Sequence, residues 1–439
     1  MTAFEALFVP DRLREAISGQ AWLGRMLEVE RALANAGARA GVVPETAAAA
    51  IAGACDPADF SWEKLLDEGH AAGNPVEPLV RALRARIGAE HERFVHNGAT
   101  SQDVLDTAAM LVAGDACGIV LADLDRVAHR CAELIRTHRS TPMVARTLLQ
   151  QAVPTTFGFV AANWLVAVLD ARTRLVELRG RGFVAQLGGA AGTLAVFGDA
   201  GPRMVELFAA ELDLAAPILP WHTNRVRIAE LGTALATAAG VCGKIGLDVV
   251  LLAQTEVGEV QERAGGSSST MPQKRNPVRA TIARAAARLA AGHASVLLGS
   301  LVQEHERAAG AWHAEWEALC GVLAFSGGAA GATADALTGL EVDPERMRAN
   351  LDATGGLVLA ERVTFALADL IGRSVAHELV ATAIAGDASF RDALLTDPRN
   401  PLSPTDLDHL LDPLGYLGSA ETFADRALEA YGSALGQRS

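Results

Sequence analysis

The sequence predicts an all-α protein, and three observations carry the prediction. Alanine, leucine, arginine and glutamate, all strong helix formers, dominate the 439 residues. Alternating β-branched runs are rare. From Ile228 the apolar residues Leu231, Leu235, Ala238, Cys242, Ile245, Val249 and Leu252 follow in alternating steps of three and four. That is the heptad pattern of long helices packed in a bundle.

The heptad register predicts one helix over about 225–262. Its next seam position is Glu256, a carboxylate carried either into a polar site or into a structural hydrogen bond. Gly265-Gly266 is the expected stop, and Pro277 the expected start of the following helix. Other long helices are expected over about 106–138, 154–179, 202–214 and 311–336, with breaks near 88–97, 139–144 and 180–192. Past about residue 350 the helices shorten, and Pro398, Pro401, Pro404 and Pro413 punctuate them. Three helical domains result: an N-terminal one at 1–105, a central long-helix bundle at 106–350 and a small C-terminal one at 351–439. A chain half hydrophobic at this length can bury such cores. The seam is too apolar to remain exposed, which predicts an oligomer.

Composition narrows the function. A net charge of −14 argues against a nucleic-acid partner, because phosphate backbones need a basic surface. The N-terminal "MTAFEALFVPDRLREAISG" mixes acids with apolar residues and does not read as a signal peptide. No apolar run reads as long and charge-free enough to span a bilayer; "LATAAGVCGKIGLDVVLLAQ" is interrupted by Lys244 and Asp248. Five scattered cysteines without a CxxC are expected as buried, reduced thiols of a cytoplasmic protein. No histidine spacing suits a metal and no glycine loop suits a nucleotide, so neither a metal nor an organic cofactor is expected.

Three polar islands interrupt the apolar helices: "HNGATSQDVLDTA" (96–108), "RTLLQQAVPTTFG" (146–158) and "GGSSSTMPQKRNPV" (265–278). Serine and threonine at a helix–loop junction are usually caps. Three islands together suggest more. Loop amides, hydroxyls and one ammonium form a cradle for carboxylates, suited to a small polycarboxylate and to a carbanion-like intermediate whose charge fixed donors must meet. The chain holds only three lysines, Lys64, Lys244 and Lys274. Keeping one at the third island's tip suggests a task for a compact ammonium that a planar guanidinium cannot fill.

These islands, in this order and spacing, resemble the three signature regions of the fumarase/aspartase superfamily. "SSTMPQKRNP" (268–277) matches its loop S-S-x-M-P-x-K-x-N-P at every fixed position, although Ser267 stands where the family usually has glycine. Within the superfamily, the first two islands, "PWHTNR" (220–225) and "QEHERAAGAWHAEW" (303–316) look most like the bacterial 3-carboxy-cis,cis-muconate cycloisomerase branch, with the adenylosuccinate lyases next. The resemblance implies a homotetramer with each active site built from three subunits. It implies Ser268 as proton carrier at carbon, and Lys274 and Asn276 as grips on a substrate carboxylate. His96, Thr100, Ser101, Gln150 and Arg307 stand with the substrate-binding residues.

One departure is informative. Relatives that expel water or an amine read Thr-His-x-Gln in the second region and support that histidine with a glutamate seven residues past the loop lysine. Here the two positions are Leu148 and Thr281. Amines and hydroxide need a general acid to leave. A carboxylate, with a pKa of about 4, needs none. The expected reaction is therefore lactonisation, in which the substrate's own carboxylate adds to a double bond and only carbon takes a proton. Elimination of nitrite from a nitrosuccinate fits as well. His96 or His222 could otherwise supply a missing acid, from another subunit.

Overall fold

The computed structural model describes residues 4–436 except 182, 264–265, 268–270 and 272; at 266–267 the backbone alone is described. The chain is all-α, as its composition predicts. Its long helices are Ser101–His138, Phe157–Gly180, Val226–Leu252, Val278–Gly299 and Ala311–Thr338. Strands occur only as short two-stranded pairs among the described residues. The chain divides into two compact units. The first comprises Met1–Leu124, Ala171–Gly243 and Ile282–Ala332; the second comprises Asp125–Asp170, Lys244–Thr281 and Thr333–Ser439.

In the first unit the N-terminal helix Gly19–Arg39, capped by the Ser18 side chain on Ala21 N, buries Trp22, Leu23, Met26, Leu27, Val29 and Leu33. Small residues let helices approach closely. A Cβ at Gly321 would lie 2.4 Å from the His293 ring, which itself stacks on Phe325 at 5.6 Å. The alanine- and glycine-rich composition is thus a packing feature as well as a helix propensity.

The second unit holds two departures from the sequence reading. The second island is a β-hairpin, not a helix–loop junction: Pro142–Thr147 pairs antiparallel with Gln150–Thr156. Leu148 and Leu149 form its two-residue turn, both at positive φ (51° and 64°). Primed hairpin turns demand that backbone region, which normally selects asparagine or glycine. The second departure concerns the long helix, which ends at Leu252 rather than near 262. Gly258, at φ 61°, and the bond from Glu259 N to Leu252 O (2.9 Å) reverse the chain, and Val260–Glu262 pairs with Leu340–Val342. Glu256 is therefore off the helix and exposed. The buried carboxylates are Glu259 and Glu262. Glu262 accepts from Arg279 N (3.1 Å) and Ala280 N (2.8 Å), satisfying the first turn of the helix that follows Pro277. The C-terminal helices share a core of Val363, Leu367, Leu379, Phe390, Leu394 and Leu407.

All eight seam residues from Ile228 to Leu252 are buried within the single chain. The seam therefore does not by itself call for a second copy. Two helices, Ser101–His138 and Val226–Leu252, are long and apolar enough by length and composition alone to cross a membrane; 72% and 44% of their apolar windows are buried inside the protein, and Lys244 and Asp248 interrupt the second. None of the five cysteines forms a disulfide; four are buried and Cys320 is partly so. Burial pushes the Cys55, Cys117 and Cys320 thiols up to about 12.

Candidate active site

The first unit gathers the first island around one carboxylate. Ser101 opens the helix Ser101–His138, and Asp103 in its first turn is fully buried. Its oxygens accept from Thr100 N (3.0 Å), Gly188 N (2.9 Å), Gly189 N (2.9 Å) and His222 Nε2 (2.7 Å). The bond to Thr100 N closes half of a capping box. The glycine loop fits closely: a Cβ on Gly189 would lie 2.7 Å from Gly98 O. Arg307 leans on the same loop, donating to Ala190 O (2.8 Å), Gly189 O (3.3 Å) and Gln102 Oε1 (3.1 Å). It has no carboxylate partner among the described residues, and its guanidinium is only part-buried. His96, at φ 59°, is held from below by Glu30, its Nδ1 donating to Oε1 at 2.6 Å.

Beneath this layer sits a charged knot. Arg225, buried, donates to Asp106 (2.7 and 2.9 Å) and to Glu315 (2.5 and 3.0 Å). Its guanidinium lies 4.9 Å from the Trp221 ring centre. Gln102 and Trp312 Nε1 donate to Asp106, and Gln303 to Glu315. Burial pushes Glu315 up despite Arg225, with Asp106 adding to the rise, while the two carboxylates hold Arg225 above its ordinary value against its own burial. The knot ties "PWHTNR" and "QEHERAAGAWHAEW" to the first island. Of the other histidines, His305 accepts at its carbonyl from Thr223 Oγ1 (2.9 Å), and the His313 ring packs on Trp312 and Trp316.

The second unit holds Gln150, Lys274 and Asn276. Gln150 is exposed beside the hairpin turn, opposite Thr147. Leu148 is 97% exposed at the tip, so it is not core. Thr281 turns its hydroxyl back to Pro277 O (2.8 Å) in its own helix. Neither position carries a group that moves protons. Arg275-Asn276 pairs with Gly266-Ser267. Lys274 N donates to Met271 O (3.0 Å); its side chain is exposed, and the ammonium has no partner among the described residues. Ser268 lies outside the described residues. Arg146 clamps the buried Glu259 bidentately (2.7 and 2.9 Å) below the hairpin, and Asn350 donates to the same carboxylate (2.8 Å).

His96, Thr100, Ser101 and Arg307 thus share the first unit, while Gln150, Lys274 and Asn276 belong to the second. The sequence reading missed Glu30, Gln102, Asp103 and the buried Gln186, whose amide donates to Asp103 (3.5 Å) and accepts from Trp221 N (2.7 Å). Asp103 had a legible signal, the Thr100-x-x-Asp103 spacing of a helix start. Glu30 had none.

A helical protein carrying an S-S-x-M-P-x-K-x-N-P loop and this capped first region is a fumarase/aspartase-type enzyme. The chain belongs to that superfamily: residues 9–292 match the family described as Lyase, and residues 356–427 match Adenylosuccinate lyase C-terminus. It is 45% identical to a 3-carboxy-cis,cis-muconate cycloisomerase of Bradyrhizobium diazoefficiens, over 98% of this chain and 99% of that one. It is 46% identical to a nitrosuccinate lyase of Streptomyces davaonensis, over 97% of this chain and 94% of that one. Its fold superposes on the crystal structure of the 3-carboxy-cis,cis-muconate lactonizing enzyme of Pseudomonas putida with a TM-score of 0.92 at 43% identity, covering 98% and 99% of the two chains.

Replacing Arg225 by methionine leaves Asp106 and Glu315 as buried, adjacent carboxylates. We expect a loss of about 3–5 kcal/mol of stability, the usual cost of breaking a buried ion pair from one side. Urea unfolding of the two proteins measures it.

Proposed function

We propose that the protein is a cycloisomerase that converts 3-carboxy-cis,cis-muconate to 4-carboxymuconolactone, a step in the breakdown of aromatic compounds. The observation that carries this reading is the fate of the two acid–base positions: Leu148 is an exposed apolar tip and Thr281 bonds its own helix. An enzyme without a leaving-group acid suits a reaction that needs none. A substrate carboxylate oxygen attacks a carbon of the double bond and the C–O bond forms. The π electrons pass to the neighbouring carbon and into its carboxylate, and a proton then joins that carbon. Ser268 is assigned as the donor, regaining its proton from solvent. Lys274 and Asn276 hold the carboxylate that receives the charge. His96, Thr100, Ser101, Gln150 and Arg307 bind the remaining polar groups of the polycarboxylate. The relatives at 45% and 43% identity carry the same activity in their names.

A second reading is a nitrosuccinate lyase, favoured by the relative at 46% identity. Nitrite also leaves without protonation, so the same missing acid suits it. Cleavage of adenylosuccinate, whose amine needs an acid, fits least. We also infer a cytoplasmic homotetramer whose active sites draw on several subunits. That reading would give Lys274 and Arg307, neither with a carboxylate partner among the described residues, a carboxylate of the substrate to bind.

Absorbance assays of the purified protein with 3-carboxymuconate, nitrosuccinate and adenylosuccinate separate the readings. Turnover of the first alone is expected; nitrosuccinate turned over faster would replace the proposal with its alternative. Light scattering should give four times the mass of one chain, and a monomer at micromolar concentration contradicts the assembly. A serine hydroxyl can serve only if a fixed positive field favours its alkoxide. Ser268→Ala should therefore cut kcat by several orders of magnitude with little change in binding. Lys274→Met should damage both, and Lys274→Arg should not rescue. The double variant should lose little more than the worse single one; additive losses would assign Ser268 to the loop's structure instead.

A further inference from the structure

Glu30 is a carboxylate in the wrong surroundings. It sits on the Gly19–Arg39 helix among Met26, Leu27, Val29 and Leu33, all buried, and its own side chain has no exposed surface. One oxygen, Oε2, has no hydrogen-bond partner among the described residues. Burying an ionised group with an unmet lone pair is costly, and most buried polar groups avoid it. Its other oxygen accepts from His96 Nδ1 at 2.6 Å. That histidine is 14% exposed and strained at φ 59°, a backbone region that non-glycine residues rarely adopt. Nε2 has no partner among the described residues. Strain, an orphaned carboxylate and one open ring nitrogen therefore meet at one residue of the first island.

We propose that Glu30 is a positioning residue of the active site, which holds His96 as an imidazolium with Nε2–H presented to a substrate carboxylate. The inference rests on the polycarboxylate reading above. Three charged groups face the ring: Glu30, Arg84 from the Val76–Ile87 helix, which donates to Val95 O at 3.3 Å, and Asp103 from the Ser101–His138 helix. Burial of the ring works against the cation, but Glu30's charge and hydrogen bond, joined by Asp103, outweigh it and Arg84, and the ring is held above its ordinary value. A mere hydrogen-bonded prop would be served as well by glutamine. A charged one would not.

The sign of the effect on binding follows. The charged ring persists to higher pH with Glu30 than without it, so substrate affinity is lost as pH rises through the His96 pKa. In Glu30→Gln, which keeps the shape and an acceptor for Nδ1–H, that limb should move down by about 1–3 pH units, the range for losing an opposite charge in contact. The rise should appear in KM near pH 7, with kcat little changed. Nuclear magnetic resonance of histidine-labelled wild-type protein without substrate tests the charge state independently of any activity. A His96 titration above the ordinary histidine value is expected, falling in Glu30→Gln and partly restored in Glu30→Asp. A wild-type His96 already neutral at pH 6 would overturn the proposal, whether or not a variant folds. So would a Glu30→Gln enzyme whose KM–pH profile matches the wild type. If no polycarboxylate is turned over while His96 titrates as expected, the substrate reading fails and the Glu30–His96 charge pair stands.

Discussion

The polar face of the first unit depends on Asp103. Donors from its own helix head and from two distant segments converge on this one buried carboxylate: Thr100, the Gln186–Gly189 stretch, and His222. A carboxylate accepts several charge-assisted bonds at once, and each is stronger than a neutral one. Asp103 therefore fixes where the first island sits relative to the glycine loop. The loop in turn offers the Gly189 and Ala190 carbonyls on which Arg307 rests. The Arg225 knot below repeats the device with the charges reversed, one guanidinium binding two carboxylates. A helix bundle is held by apolar packing that is indifferent to small slips. These two polar centres are not indifferent, and they give the site a single geometry.

The second unit uses a different device. A two-residue hairpin turn made of leucines at positive φ is unfavourable twice over, in backbone strain and in exposed apolar surface. The clamp of Arg146 on Glu259 anchors the strands below it. The tip, Leu148, carries nothing that titrates. The chemistry proposed for the enzyme follows from that: fixed donors for developing charge, one proton delivered to carbon, and no acid for a leaving group.

Much of the fold was legible because long helices announce themselves by apolar spacing. The ends of the Ser101–His138, Phe157–Gly180 and Ala311–Thr338 helices lie within a few residues of the sequence reading. The errors have physical causes. Apolar spacing carried the Val226–Leu252 helix too far, because the chain already turns at Gly258, which is at positive φ. The hairpin was missed because Leu148-Leu149 lacks the glycine or asparagine that usually marks such a turn. The polar islands stood out against an apolar sequence, but their supports did not. Glu30 lies 66 residues from His96, and His222 lies 119 from Asp103. No local pattern joins residues so far apart.

The account's central claim is that one proton, delivered to carbon, is the only proton transfer the enzyme must catalyse. The most direct measurement is proton magnetic resonance of the product formed from 3-carboxymuconate by the wild-type protein in deuterium oxide. The account predicts a lactone carrying one deuterium, at one of the two diastereotopic positions beside the carboxylate. A lactone with deuterium spread over both positions, or no lactone at all, would contradict it.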